Sequence, residues 1–116
     1  MVEQHIKALL PPTLPTVIGE LPSTKTNVVS IMLFDGASTE EYFASSTVYN
    51  PVVKIVVRNE SYATAQQWIE DIKQVLHKHH DDYFLSILLR GYPMYLGKDE
   101  QKLHEFQIVF NISVKE

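Results

Sequence analysis

The densest run of side chains able to do chemistry in this 116-residue chain is His77-Lys78-His79-His80-Asp81-Asp82. Imidazole nitrogen and carboxylate oxygen together suit zinc or a related transition metal. If the preceding helix continued through the run, His77 and Asp81 would share one face, so a small metal-binding domain using His77, His79, His80 and Asp81 is one reading. Two ligands at a fraying helix end do not complete a coordination shell, however, and no HExxH spacing or second ligand pair accompanies them. A solvated helix end is the expectation, with no metal. His104 and Glu105 are strand neighbours that point to opposite faces and so cannot act as an acid–base pair. Asp99 and Glu100 are adjacent turn residues with nothing to activate. The chain carries no GxSxG elbow, P-loop or GxGxxG fingerprint. It also has no cysteine, which removes thiolate metal sites, disulfides and cysteine nucleophiles. The expectation is a protein that is not an enzyme and takes no cofactor.

If these residues do not catalyse, the elements that carry them must serve packing and contact. With 45% hydrophobic and 21% charged residues, the composition is that of a folded domain, and the length suits one domain spanning residues 1–116. The net charge of -4 comes without a dense Lys/Arg run, which argues against tight binding along phosphates. Neither a secretory signal nor a run of roughly 20 apolar residues is visible. The reading is a soluble protein made in the cytoplasm, with no membrane partner.

Val2, Ile6, Leu9 and Leu10 fall at helical spacing before Pro11 and Pro12 stop the helix. Residues 16–19 form a short edge strand, confined by Pro15 and Pro22. Residues 27–34 are β-branched and apolar and end at Asp35-Gly36, a strand followed by a turn. Residues 37–50 are small and polar around Tyr42, Phe43 and Tyr49, and read as a long loop or a loose hairpin arm. Residues 51–58 alternate with period two. From Ser61 the period changes, with Ala65, Trp68, Ile69, Ile72, Val75 and Leu76 on one helical face and Asn59 or Ser61 as its cap. Residues 83–90 carry apolar side chains on both faces and are expected to be a central strand. Residues 92–96 and 104–114 form a hairpin around Gly97-Lys98-Asp99-Glu100, and Phe106, Ile108, Phe110, Ile112 and Val114 share one face of its second strand.

These elements predict an α+β fold: a single mixed or mostly antiparallel sheet packed by one long amphipathic helix and a short N-terminal helix. The strand at residues 27–34 offers Val28 and Met32 on one face and Val29, Ile31 and Leu33 on the other, more apolar surface than one helix covers. Either the N-terminal helix and the long loop cover the remainder, or it is a subunit interface. Tyr92, Met94, Tyr95 and Leu96 have the same two readings, core packing or interface anchors.

Residues 50–114 resemble the minor capsid or tail-terminator family of siphophages, proteins of the phage head–tail junction. The resemblance rests on Asn50-Pro51 before the VVKIVVR strand and on Tyr62-Ala63 opening the helix. It rests further on Gly91-Tyr92-Pro93-Met94-Tyr95-Leu96-Gly97-Lys98-Asp99-Glu100, followed by His104-Glu105-Phe106 and Asn111. Such sequences often have Arg where Lys98 stands, which removes bidentate pairing at that position. The resemblance implies a virion protein at the head-proximal end of the tail. It forms a homo-oligomeric ring, typically a hexamer, that caps the tail tube, stops its polymerisation and docks to the head connector. Its partners would be further copies of itself, the tail-tube protein and the head connector or completion protein, with DNA passing through an acidic lumen unbound. A head-completion or neck protein is the alternative within the same class. On this reading Tyr92, Met94, Tyr95 and Leu96 lie at the ring interface, and Tyr42, Phe43 and Tyr49 dock onto the tube or connector.

Overall fold

A computed structural model of the chain describes residues 2–35, 39–41 and 47–115. In chain order the elements are α1 (Val2–Leu9), β1 (Thr16–Ile18), β2 (Val28–Asp35), β3 (Thr39–Glu41), β4 (Thr47–Tyr49), β5 (Val52–Asn59), α2 (Tyr62–Leu76), β6 (Phe84–Leu89), β7 (Met94–Lys98) and β8 (His104–Lys115). The fold is α+β, as expected, with two helices against a mixed sheet. No helix among the described residues is long and apolar enough to cross a membrane.

Strand β8 organises the sheet. One of its edges pairs antiparallel with β5, from Asn59↔His104 to Val52↔Asn111, and then with β4 through Val48↔Lys115 and Tyr49↔Val114. The other edge takes β7 and then β6. Outward from β5 the sheet continues antiparallel to β2 and parallel to β1. The period-two pattern read from the sequence holds along β8: Phe106, Ile108, Phe110, Ile112 and Val114 are all buried. They meet Val53, Ile55 and Val57 of β5, Val29 and Ile31 of β2, and the buried sides of both helices.

Helix α1 buries Val2 and Ile6 and closes where the Leu10 amide donates to the Ile6 carbonyl at 3.3 Å, just before Pro11 and Pro12. Helix α2 runs 15 residues and buries Ala65, Ile69, Ile72 and Leu76, an i, i+4, i+7, i+11 stripe, with Trp68 and Val75 half-buried beside it. Both expected capping residues are used. Ser61 Oγ accepts from the Thr64 amide at 3.2 Å, and Asn59 Oδ1 accepts from the Ser61 amide at 2.9 Å.

Two expectations change and one pair of alternatives is decided. Residues 83–90 do not form a central strand, because among the described residues β6 pairs only with β8 and lies at the sheet's margin. Their apolar character on two faces comes from a register shift between Phe84 and Ser86, which turns Phe84 and Ile87 inward and leaves Leu85 and Leu88 about half exposed, at 46% each. Of the two readings of residues 37–50, the hairpin arm applies: β3 and β4 pair antiparallel from Thr39↔Tyr49 to Glu41↔Thr47. Tyr42 and Phe43 lie outside the described residues. The hairpin at the C-terminal end extends through Gly97 and Lys98, so its turn comprises residues 99–103.

Phe110 is fully buried at the centre of this ladder. Phe110→Ala is expected to lower unfolding free energy by about 3–5 kcal/mol, through lost burial and the cavity left behind, as read by chemical denaturation.

Candidate assembly interface

The histidine-rich run does not lie on a helix, because α2 ends at Leu76 and His77 is its C-cap in extended conformation. The expected shared face of His77 and Asp81 is therefore absent. The run folds instead along the outer edge of β6. The Lys78 amide donates to the Ile87 carbonyl at 2.7 Å, and Lys78 takes a left-handed φ of 68° to do so. The Leu89 amide donates to His77 Nδ1 at 3.0 Å, and the Asp81 amide donates to the Phe84 carbonyl at 2.9 Å. Asp81 Oδ1 in turn accepts from the amides of Tyr83 at 2.8 Å and Phe84 at 2.7 Å, while Oδ2 meets His79 Nε2 at 2.8 Å. The Phe84 amide, the His79 side chain and the Tyr83 amide lower the pKa of Asp81 from 3.8 to about 2, outweighing a small opposing effect of burial. These residues block a strand edge, the protection that sheets need where backbone groups would otherwise stand unpaired. Among the described residues, no group of three or more His, Cys, Asp or Glu side chains is placed to hold a metal ion.

Among the described residues, strand β7 has no such cover: it pairs with β8 through Met94↔Gln107 and Tyr95↔Phe106, shifts register before Gly97↔Glu105, and has no strand beyond it. The residues leading into it and along it are exposed: Tyr92 at 87%, Met94 at 57%, Tyr95 at 42% and Leu96 at 46%. Leu88 of β6 continues the apolar surface along the same side of β8. Tyr92, Met94, Tyr95 and Leu96 are thus solvent-accessible and outside the buried core, with Met94 and Tyr95 on opposite faces of β7. Tyr95 has an internal role as well. Its hydroxyl bonds His104 Nδ1 at 2.8 Å, and its ring packs on Tyr62 and Phe106, with centroids 5.1 and 5.0 Å away. Tyr62 at the start of α2 thereby braces β7 against the helix. Tyr49 is 40% exposed on β4, against the opposite edge of β8.

Arg58 is the residue that sequence reasoning overlooked. It ends the apolar run of β5 and is 9% exposed, directly across the ladder from Glu105. Its Nε donates to Glu105 Oε2 at 3.0 Å and lies 3.4 Å from Asp99 Oδ2. Its Nη1 donates to the carbonyls of Pro22 at 2.8 Å and Lys25 at 3.3 Å. Asp99 also shapes the β7–β8 turn, because its Oδ1 accepts from the amides of Gln101 and Leu103, both at 2.9 Å. One guanidinium therefore ties together the β1–β2 connection, the centre of the sheet and the turn that aims β7. The only hint in the sequence is a cation closing an otherwise apolar strand, and its partners lie 36 and 47 residues away. His104 and Glu105 have separate partners, Tyr95 and Arg58, consistent with their opposite faces. Lys98 is exposed.

Two concavities flank these features. A cleft of about 680 Å³ lies between α1 and β1, lined by Leu10, Pro11, Leu14 and Thr16 among others. A smaller one of about 220 Å³ sits beside Arg58 and Asp99. Arg58 and Asp99, which line it with Ser23, Glu100 and Gln101, are engaged with each other and with backbone groups. The geometry offers contact surfaces and braces for them.

A family model described as bacteriophage tail terminator protein matches residues 5–116. Among solved structures, a chain in the virion of a native gene transfer agent particle is similar in fold. Its TM-score is 0.55 over 96% of this chain and 84% of that one, at 12% sequence identity. No curated protein matches the sequence.

Arg58→Met would leave Glu105 and Asp99 close together without their shared cation and release residues 22–25. Removing one partner of a mostly buried ion pair costs about 3–5 kcal/mol, and denaturation should report a loss near the lower end because both carboxylates retain some solvent. Arg58→Lys should recover only part of it, since an ammonium cannot span the same partners. For Asp81 the sign follows from its depressed pKa. Its contribution is complete above pH 3.8 and is lost as pH falls to about 2, so Asp81→Asn should flatten that part of the acid limb of stability.

Proposed function

Because the chain belongs to the bacteriophage tail terminator family, whose members are structural proteins of the phage tail, we propose that it caps the tail tube as a closed ring of identical subunits. The ring, six subunits by the family resemblance, halts tube polymerisation and presents its other side to the head connector. The observation that carries this reading is the exposed, uncharged stretch from Tyr92 to Leu96 on an uncovered strand, in a molecule that blocks the adjacent β6 edge with backbone and side-chain hydrogen bonds. An apolar strand edge left open in water is an association site. Tyrosine and methionine are residue types enriched where proteins meet. Tyr49 on the β3–β4 arm, with Tyr42 and Phe43 in the sequence beyond it, is assigned to the tube or connector contact.

Self-association is also the use for which the polar groups are arranged. Arg58, Asp99 and Glu105 hold the β7–β8 turn, and His77 and Asp81 close the β6 edge, so the charged groups of both clusters are spent on shape. The negative net charge suits a lumen through which DNA slides without sticking.

Light scattering coupled to size exclusion, across concentration and with the tail-tube protein of the same phage added, should find a closed oligomer alone or on the tube end. The same tube protein should polymerise to limited length in its presence. A chain that stays monomeric throughout, with tube growth unaffected, would end this reading. Retention on duplex DNA at physiological salt would remove the proposed behaviour of the lumen.

A further inference from the structure

The ladders place two edge strands of the sheet, β1 and β7, at the same height. One cross-strand row runs from edge to edge, Val17↔Ser30↔Val56↔Gln107↔Met94, and the next runs Thr16↔Val29↔Val57↔Phe106↔Tyr95. Strand β1 therefore stands level with β7 at opposite ends of the five-stranded order β1-β2-β5-β8-β7. Their directions follow from the same ladders. Strand β1 is parallel to β2, and β2, β5, β8 and β7 alternate, so β7 runs antiparallel to β1. On β1 the contacts to β2 flank Val17, with the Val29 amide donating to the Pro15 carbonyl and the Gly19 amide to the Ile31 carbonyl. The backbone groups of Thr16 and Ile18 then face away from β2, and Ile18 is 42% exposed.

We propose that β7 of one copy pairs with β1 of the next, joining the sheets of neighbouring subunits into one antiparallel ladder. This deepens the ring reading above and rests on it. A heterologous contact closes into a ring only if each step is a rotation without a climb, and otherwise it winds into a filament. Edges that share cross-strand rows let neighbouring copies pair without sliding one strand far past the other, which keeps the step between copies near a rotation. Antiparallel pairing is the more favourable ladder. A self-complementary β7–β7 contact would give an isolated dimer and leave β1 open.

The register that places Val17 opposite Met94 sets Thr16 against Tyr95 and Ile18 against Pro93, where the proline lacks an amide hydrogen and the pair is left with the Ile18 amide donating to the Pro93 carbonyl. At the other end Leu96 comes level with Pro15, next to the cleft lined by Leu10, Pro11 and Leu14, which offers apolar walls to a side chain that is 46% exposed in the isolated chain.

The absence of native cysteine makes this register directly testable. Within one chain, Val17 and Met94 are separated by four interstrand steps of about 4.8 Å, roughly 19 Å, far beyond disulfide reach. In neighbouring copies the proposed register brings them into a facing pair. The full-length Val17→Cys/Met94→Cys variant, oxidised with glutathione disulfide alone and on tail-tube protein, should give a ladder of covalent multimers on non-reducing gels, whereas each single variant should not. Circular dichroism and thermal melting would establish that all three variants fold. A covalent dimer from Met94→Cys alone would overturn the proposal in favour of β7–β7 pairing. Oligomers that form by light scattering without cross-linking in the double variant would also overturn it, assigning the β7 edge to another surface while the ring reading stands. Failure to assemble under any condition would remove both.

Discussion

The hydrogen-bonded ladder of β8 is the constraint on which the other parts of the molecule depend. Twelve residues of one strand serve four partners, β5 and β4 on one edge, β7 and β6 on the other. This sharing works because each partner uses only part of the strand's length, while the alternating face from Phe106 to Val114 stays continuous beneath the helices. Burial of those five side chains supplies a large driving force, with an apolar side chain of this size worth about 1.5–3 kcal/mol when removed from water. It also fixes register, since a slip of one residue would turn the whole apolar face to solvent. The position of the β7 edge is set by this ladder together with the contacts that fix its turn.

Polar interactions then decide which edges close and which stay open. The segment after α2 folds back on β6 and occupies its outward backbone groups through Lys78, His77 and Asp81. No comparable segment reaches β7 among the described residues, and Pro93 with the glycines at 91 and 97 shapes its approach and its register shift. Gly91 and Gly97 have φ of 74° and 95°, a region where a side chain would be strained. Arg58 acts at longer range. A guanidinium can serve a carboxylate pair and two carbonyls at once because its donors form a fixed planar fork, and this geometry holds the β1–β2 connection and the β7–β8 turn to the same point.

This division gives a physical basis to a structural role in the phage tail. Ionisable clusters of this kind are often read as catalytic, yet here they accept backbone amides or bridge segments. The family membership agrees with that use of side chains. Stability resides in the core below β8, while exposed apolar side chains stand on a braced strand. Substitutions at Met94 or Leu96 should consequently affect association more than folding, and those at Phe110 or Arg58 the reverse.

Much of the fold was legible in periodicity. The α2 stripe, the alternation of β8, the strand at residues 51–58 and the hairpin at the C-terminal end all depend on local spacing of apolar residues, which a sequence displays directly. The quoted residues around Gly91 to Glu105 carried the family resemblance for the same reason, since a turn and its flanking strands are local. Residues 83–90 were misplaced because a single bulge between Phe84 and Ser86 changes which side chains face inward, and apolar residues then appear on both sides of an edge strand. The histidine run was ambiguous because its meaning depends on where α2 stops and on β6 returning beside it. Arg58 was invisible as a hub, since its partners come from three distant segments brought together only by the β5–β8 pairing and the β1–β2 connection. Local patterning of hydrophobicity determined the elements and the fold class, and the motif residues carried the resemblance to the family. Tertiary structure alone decided which strand edges face solvent, because edge status is a property of a strand's neighbours, and those are chosen by packing across the whole chain.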